Sequence, residues 1–77
     1  MTKPKERRTR IADELRAEMA RQRMTVVSLS AATNIKSPTL RNRLAGRSPF
    51  FLEEVDLICT VLGVGLTAFI DRTEVEA

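Results

Sequence analysis

Apolar residues recur along this chain at helical spacing. Ile11, Leu15 and Met19 follow one another every four residues with Ala12 and Ala20 beside them, and charged residues fill the intervening positions. The pattern predicts an amphipathic helix from Arg10 to about Arg23, with Thr9 as its N-cap. Thr25 is placed to open a second helix that ends near Thr33, with a buried stripe expected from Val26, Leu29, Ala31 and Ala32. Asn34 is the non-glycine residue that best tolerates a left-handed conformation. Thr33-Asn34-Ile35 therefore reads as a helix stop and sharp turn that returns Ile35 to the core.

Ser37 followed by Pro38 is a start signal, because serine can accept from an orphan amide and proline misses no N–H at the first helical position. The third helix then runs from Ser37 to Ala45 with Leu40 and Leu44 facing inward, and Gly46 ends it. After the turn Arg47-Ser48-Pro49-Phe50, a fourth apolar stripe comprises Leu52, Val55, Ile58, Cys59 and Leu62. Glu53, Glu54 and Asp56 lie near its N-terminus, where the helix dipole favours anions, and Gly63 stops it. A fifth helical turn, about Leu66 to Ile70, uses Leu66, Phe69 and Ile70. With no strand-like alternation anywhere, the expected fold is all-α, a compact five-helix domain.

At 77 residues the chain has room for one core and one function. The expected organisation is a flexible basic arm at 1–8, a folded domain at 9–70 and a polar tail at 71–77. Cys59 is the single cysteine and there is no histidine, so neither an intrachain disulfide nor a Cys/His zinc site can form. No metal and no cofactor is expected, and Cys59, on an apolar stripe, reads as a buried structural thiol. The longest uncharged run, Leu57 to Ile70, is fourteen residues, whereas a membrane-spanning helix needs about 20 apolar residues. The charged N-terminus has no apolar stretch behind it for a secretory signal, so a cytoplasmic location is expected. No carboxylate pair suited to a pocket and no phosphate loop is visible, so an enzyme is not expected.

Charge sharpens the picture. Met1 to Arg47 carries twelve Lys/Arg against four Asp/Glu, a net +8, whereas Ser48 to Ala77 carries one against six, a net −5. Segregation of this kind is the electrostatic footprint of a polyanion binder whose acidic part is kept away from the ligand.

Two short helices joined by a tight turn, Thr25–Thr33 and Ser37–Ala45, have the spacing of a helix-turn-helix, in which the first helix crosses the DNA backbone and the second enters the major groove. The order of signals is Thr25, Leu29-Ser30, Asn34-Ile35, Ser37-Pro38-Thr39-Leu40, Gly46 and Leu62-Gly63-Val64. In that order the stretch from about Ile11 to Ile70 resembles the Cro and lambda-repressor-like helix-turn-helix family. The ending Arg41 to Arg47 is similar to small regulators of actinobacteria and their phages. Where members of the family often carry glutamine, at the start of the second and third helices, this chain has Val26 and Pro38, and Asn34 stands where the turn often has glycine.

The resemblance implies a sequence-specific transcriptional regulator of double-stranded DNA, most simply a Cro-type or immunity repressor. With Leu40 and Leu44 inward, the outward face of the third helix shows Ser37, Pro38, Arg41, Asn42 and Ala45, with Thr39 and Arg43 at its margins. Base readout is assigned to Ser37, Thr39, Arg41 and Asn42: Arg41 suits guanine O6 and N7, and Asn42 suits adenine N6 and N7. Thr25, Lys36, Arg43 and Arg47 flank that helix as phosphate contacts. Lys3, Lys5, Arg7 and Arg8 form an arm for the minor groove or the backbone.

One short helix reads only a few base pairs, so a homodimer on DNA is expected, with Val64, Leu66, Phe69 and Ile70 as its apolar patch. Filling the monomer core is the competing use of those four residues. No membrane and no small-molecule ligand is expected as a partner. Two other readings share the basic footprint. One is an antitoxin or antirepressor whose tail, Asp71 to Glu76, grips a partner protein; the other is a recombination directionality factor that bends DNA.

Overall fold

The computed structural model describes the backbone of residues 7–73 and the side chains of residues 10–73. Five helices follow one another: α1 Arg7–Gln22, α2 Val26–Thr33, α3 Ser37–Leu44, α4 Leu52–Leu62 and α5 Leu66–Thr73. The described residues contain no strand. The core is built from Leu15 and Met19 of α1, Leu29 of α2, Leu40 and Leu44 of α3, the Val55, Ile58, Cys59, Leu62 stripe of α4, and Phe69 of α5.

Several boundaries and faces differ from the sequence pattern. Helix α1 begins at Arg7, so Thr9 lies inside it, and the backbone of Arg7 and Arg8 belongs to the helix where an arm was expected; arginine is a good helix former and needs no cap at Thr9 to extend the helix outward. Helix α5 continues to Thr73, which is buried, so the domain runs three residues past Ile70. In α2 the buried residues are Leu29 and Thr33, with Val26 half-buried, while Ala31 and Ala32 are exposed. Thr33 can occupy a core position because its hydroxyl donates to the Leu29 carbonyl at 2.8 Å and accepts from the Ile35 N–H at 3.3 Å, which removes the cost of burying it unpaired. Leu52, expected on the α4 stripe, is 66% exposed at the first helical position, beyond the end of the packed stripe.

The interhelix turns rest on residues with positive φ: Arg23 at 56°, Asn34 at 65°, Gly46 at 81° and Gly63 at 75°. At Gly63 the N–H donates to the Thr60 carbonyl and the Val64 N–H to the Cys59 carbonyl, closing α4. The same pair of bonds closes α1, from Arg23 to Ala20 at 3.1 Å and from Met24 to Met19 at 2.8 Å. There an arginine holds the left-handed position that glycine usually takes, at a cost of about 1 kcal/mol.

Helix α1 also terminates the other helices. Leu44 and Leu62 are the last residues of α3 and α4, with carbonyls in the group that no intrahelical N–H can reach, and Thr73 is the last described residue of α5. Arg16 Nη1 donates to the Leu44 carbonyl, Gln22 Nε2 to the Leu62 carbonyl at 2.7 Å, and Arg10 Nε to the Thr73 carbonyl at 2.8 Å. One long helix thus fixes the C-terminal ends of α3 and α4 and the last described turn of α5, among them the helix whose outward face is at issue.

Candidate nucleic-acid interface

Helix α2 opens at Thr25, whose Oγ1 accepts from the Ser28 N–H at 3.0 Å. It closes at Asn34, whose N–H donates to the Ser30 carbonyl at 2.8 Å. Ser30 Oγ donates to the Ile35 carbonyl, which fastens the turn and lets Ile35 pack on the core. Helix α3 starts within three residues of that turn. Its N-cap is Lys36, in an extended conformation (φ −63°, ψ 142°) and without a side-chain cap, where Ser37 was expected. Ser37 is the first helical residue, and Pro38 still sits in the first turn, where it misses no hydrogen bond.

Leu40 and Leu44 of α3 are buried, at 0% and 4% exposure, and lock the phase of the helix. Pro38, Arg41, Asn42 and Ala45 consequently face solvent, with Ser37, Thr39 and Arg43 half-buried at the edges. This is a helix-turn-helix with a free outward face on its second helix. A family model for the Cro/C1-type HTH DNA-binding domain matches residues 14–73. The chain belongs to that family. Curated proteins and solved structures yield no match.

The domain is a DNA-binding one, and in a helix-turn-helix the second helix, here α3, is the one termed the recognition helix. Among the described residues Arg41 makes no hydrogen bond or ion pair, so its guanidinium is available to a ligand. Asn42 Oδ1 accepts from Arg47 Nη1 at 3.1 Å. An amide oxygen has two lone pairs and the amide nitrogen remains unused, so Asn42 retains what a paired contact to adenine requires. Lys36 and Arg47 are both exposed beside the recognition helix. The Thr25 hydroxyl is committed locally: besides capping α2 it donates to Ser28 Oγ at 3.0 Å.

Arg43 differs from the other candidate phosphate contacts. Its Nε lies 2.7 Å from Glu54 Oε1, with both side chains only 16% exposed. Nη1 donates to Ser48 Oγ at 3.1 Å, and the guanidinium carbon sits 5.1 Å from the centroid of the Phe51 ring. The Nε contact is an ion pair without hydrogen-bond alignment. Glu54 Oε1 also accepts the Phe51 N–H at 2.9 Å, which serves the start of α4; phenylalanine has no side-chain acceptor to return the favour, so only half of a capping box forms. The Arg43 guanidinium is therefore spent on joining the recognition helix to α4.

The α1 carboxylates are compensated on the flank that faces α5. Arg21 pairs with Glu18 at 2.6 Å and Glu14 at 3.4 Å, and Arg72 of α5 reaches Glu14 at 3.3 Å and Glu18 at 3.7 Å. Hydrogen bonds from Arg21 and then Gln22 hold the Glu18 carboxyl below its ordinary range. Uncompensated positive charge consequently gathers around α2 and α3, at Arg23, Lys36 and Arg41.

The expected apolar patch at Val64, Leu66, Phe69 and Ile70 is exposed only in part. Phe69 is fully buried, and Val64, Leu66 and Ile70 are half-buried against the core, because α5 packs on both α1 and α4. The exposed large apolar residues are instead Val27, Phe51, Leu52 and Leu57, with Phe51 61% exposed beside Leu52. Lys3 and Lys5 lie outside the described residues, as do the side chains of Arg7 and Arg8. No helix among the described residues is long and apolar enough to cross a membrane.

Proposed function

We propose that this domain is a sequence-specific transcriptional regulator of the Cro or immunity-repressor kind, with α3 in the major groove of an operator. The observation that supports this most directly is the unpaired Arg41 beside Asn42 on a helix whose opposite face is anchored by Leu40 and Leu44. Arg41 and Asn42 read bases, with Thr39 at the margin of the groove and Ser37 at its entrance. Lys36, Arg47 and the open N-terminus of α2 at Thr25 hold phosphates.

An eight-residue recognition helix reads few base pairs, so the domain acts as a two-fold dimer on half-sites about 34 Å apart. With Phe69 taken by the core, contact between copies falls to Phe51 and Leu52, the adjacent exposed apolar pair that follows the recognition helix. The partner-protein reading depends on an acidic tail from Asp71, but Asp71 to Thr73 belong to α5; Glu74 and Glu76 lie outside the described residues.

The test is selection of bound sequences from a random duplex pool at about 150 mM salt, where charge-driven background is weakened. An enriched inverted repeat is the expected result. Arg41→Ala should then cost about 1–3 kcal/mol at the selected site and relax preference at one base pair. No enrichment, with salt-sensitive binding to all duplexes, would refute the sequence-specific reading.

A further inference from the structure

An open groove of about 460 Å³ lies between α1, the start of α2 and the C-terminal half of α3. Its apolar lining comes from Met19, Met24, Val26 and Leu44, and among the described residues Arg16 and Arg41 supply its charges. We infer that this groove binds a small amphipathic carboxylate, an apolar body with one anionic head, in competition with DNA.

Three features support the assignment. The volume falls within the range of about 300–1,000 Å³ common to small-molecule sites, and the lining has their composition, mostly apolar with a few polar groups to orient the ligand. Two methionines adapt readily to an apolar guest of irregular shape. The charge has one sign: among the described residues no carboxylate lines the groove, and Asp13 of α1 is paired with Arg16. Arg16 also donates to the Leu44 carbonyl, so it is held in place as a wall. Arg41 has no such partner and can close over an anionic head.

A phosphate backbone would gain nothing from a floor of methionine and leucine. The apolar pair at Phe51 and Leu52 is an unsuitable rival site, since Glu53 and Glu54 adjoin it. Occupancy draws Arg41 toward α1 and away from the groove of DNA. The competition rests on the DNA-binding reading, whereas the binding itself does not.

Decanoate is the probe, titrated below its micellar range into protein with ¹³C-labelled methionine methyls. Of the three methionines in the chain, Met19 and Met24 line the groove. Met19 and Met24 should shift saturably, with decanoate binding about fivefold tighter than decanol because one exposed guanidinium pairs with the head. Ala20→Phe, at an exposed position on the rim, should fill the groove and abolish the shifts while leaving duplex binding intact. Decanoate should release bound duplex from the wild type but not from Ala20→Phe. Equal affinity for decanol or unchanged binding by Ala20→Phe would each overturn the site. Saturable shifts without release of duplex would overturn the competition. A protein that binds no duplex before decanoate is added would instead refute the DNA-binding reading and leave the methyl result standing.

Discussion

Replacing Arg43 separates two uses of a cation at the edge of a recognition helix. Arg43→Ala removes the ion pair to Glu54, the bond to Ser48 Oγ and the stack on Phe51. Leaving one partner of a fully buried pair alone costs about 3–5 kcal/mol. Here both partners keep 16% exposure, and Glu54 retains the Phe51 N–H at 2.9 Å and a place in the first turn of α4, where the helix dipole favours a carboxylate. The loss should accordingly be about 1–3 kcal/mol, which for a domain of this size lowers Tm by roughly 5–15 °C. Arg43→Lys should recover only part of it, because an ammonium cannot span Ser48 and Glu54 while stacking on the ring.

The assay pairs thermal unfolding, followed by circular dichroism, with the salt dependence of duplex binding. A phosphate contact contributes about one unit to the slope of log K against log salt. With its guanidinium engaged inside the protein, Arg43→Ala should leave that slope unchanged and register in Tm alone. An unaltered Tm with a slope reduced by about one unit would refute the structural account and return Arg43 to the DNA.

Three further outcomes follow from the geometry. Leu40→Ala empties a fully buried position and should cost about 2–5 kcal/mol in denaturant unfolding; an unchanged midpoint would mean that the phase of α3 is wrong. Burial, reinforced by Asp56, pushes the Cys59 thiol up from its ordinary range, so a thiol reagent at pH 8 should label native protein far more slowly than unfolded protein, and equal rates would contradict the packing of α4. The lowered Glu18 carboxyl stabilises the fold above its unfolded value of about 4.5 and ceases to do so as pH falls through its lower folded value. Between pH 5 and pH 3, Tm should drop more steeply in wild type than in Glu18→Gln, and parallel curves would show that the Arg21 and Gln22 bonds contribute nothing.

Periodicity carried the fold a long way because packing in α1, α3 and α4 obeys it. Leu15 and Met19, Leu40 and Leu44, and Val55, Ile58 and Leu62 all occupy the core at the spacing the sequence shows. It failed where residue type says little about depth. Ala31 and Ala32 are small enough to be placed on either side of α2, whereas Thr33 looks polar until its hydroxyl is seen to bond within its own turn. Leu52 keeps the right phase but lies beyond the packed length of α4. On α5, an amphipathic turn looks the same whether its apolar face meets the monomer core or a second copy; Phe69 at 0% exposure goes to the core, while Leu66 and Ile70 are only half-buried against it.

The candidate interface was legible in its centre and illegible at its edges. Which side chains of α3 face outward follows from Leu40 and Leu44 alone, so Arg41 and Asn42 could be placed without coordinates. What an edge cation does depends on residues distant in sequence: Glu54 in the first turn of α4 has an ample local reason to be acidic in the helix dipole, and nothing in the pattern reveals that it also faces Arg43.

The fixing of α3 by α1 is invisible to pattern for the same reason, and it bears on recognition. Reading a base edge demands that a side chain be held to within a fraction of an ångström, and a short helix between two turns has little internal stiffness of its own. The start of α3 is set by Asn34 and Ile35, its middle by Leu40 and Leu44 in the core, and its end by the bond from Arg16 to the Leu44 carbonyl. Arg43 adds a lateral tie to α4. Two arginines on the flanks of the recognition unit are thus occupied in holding it still, which leaves Arg41, between them, free to respond to what it meets.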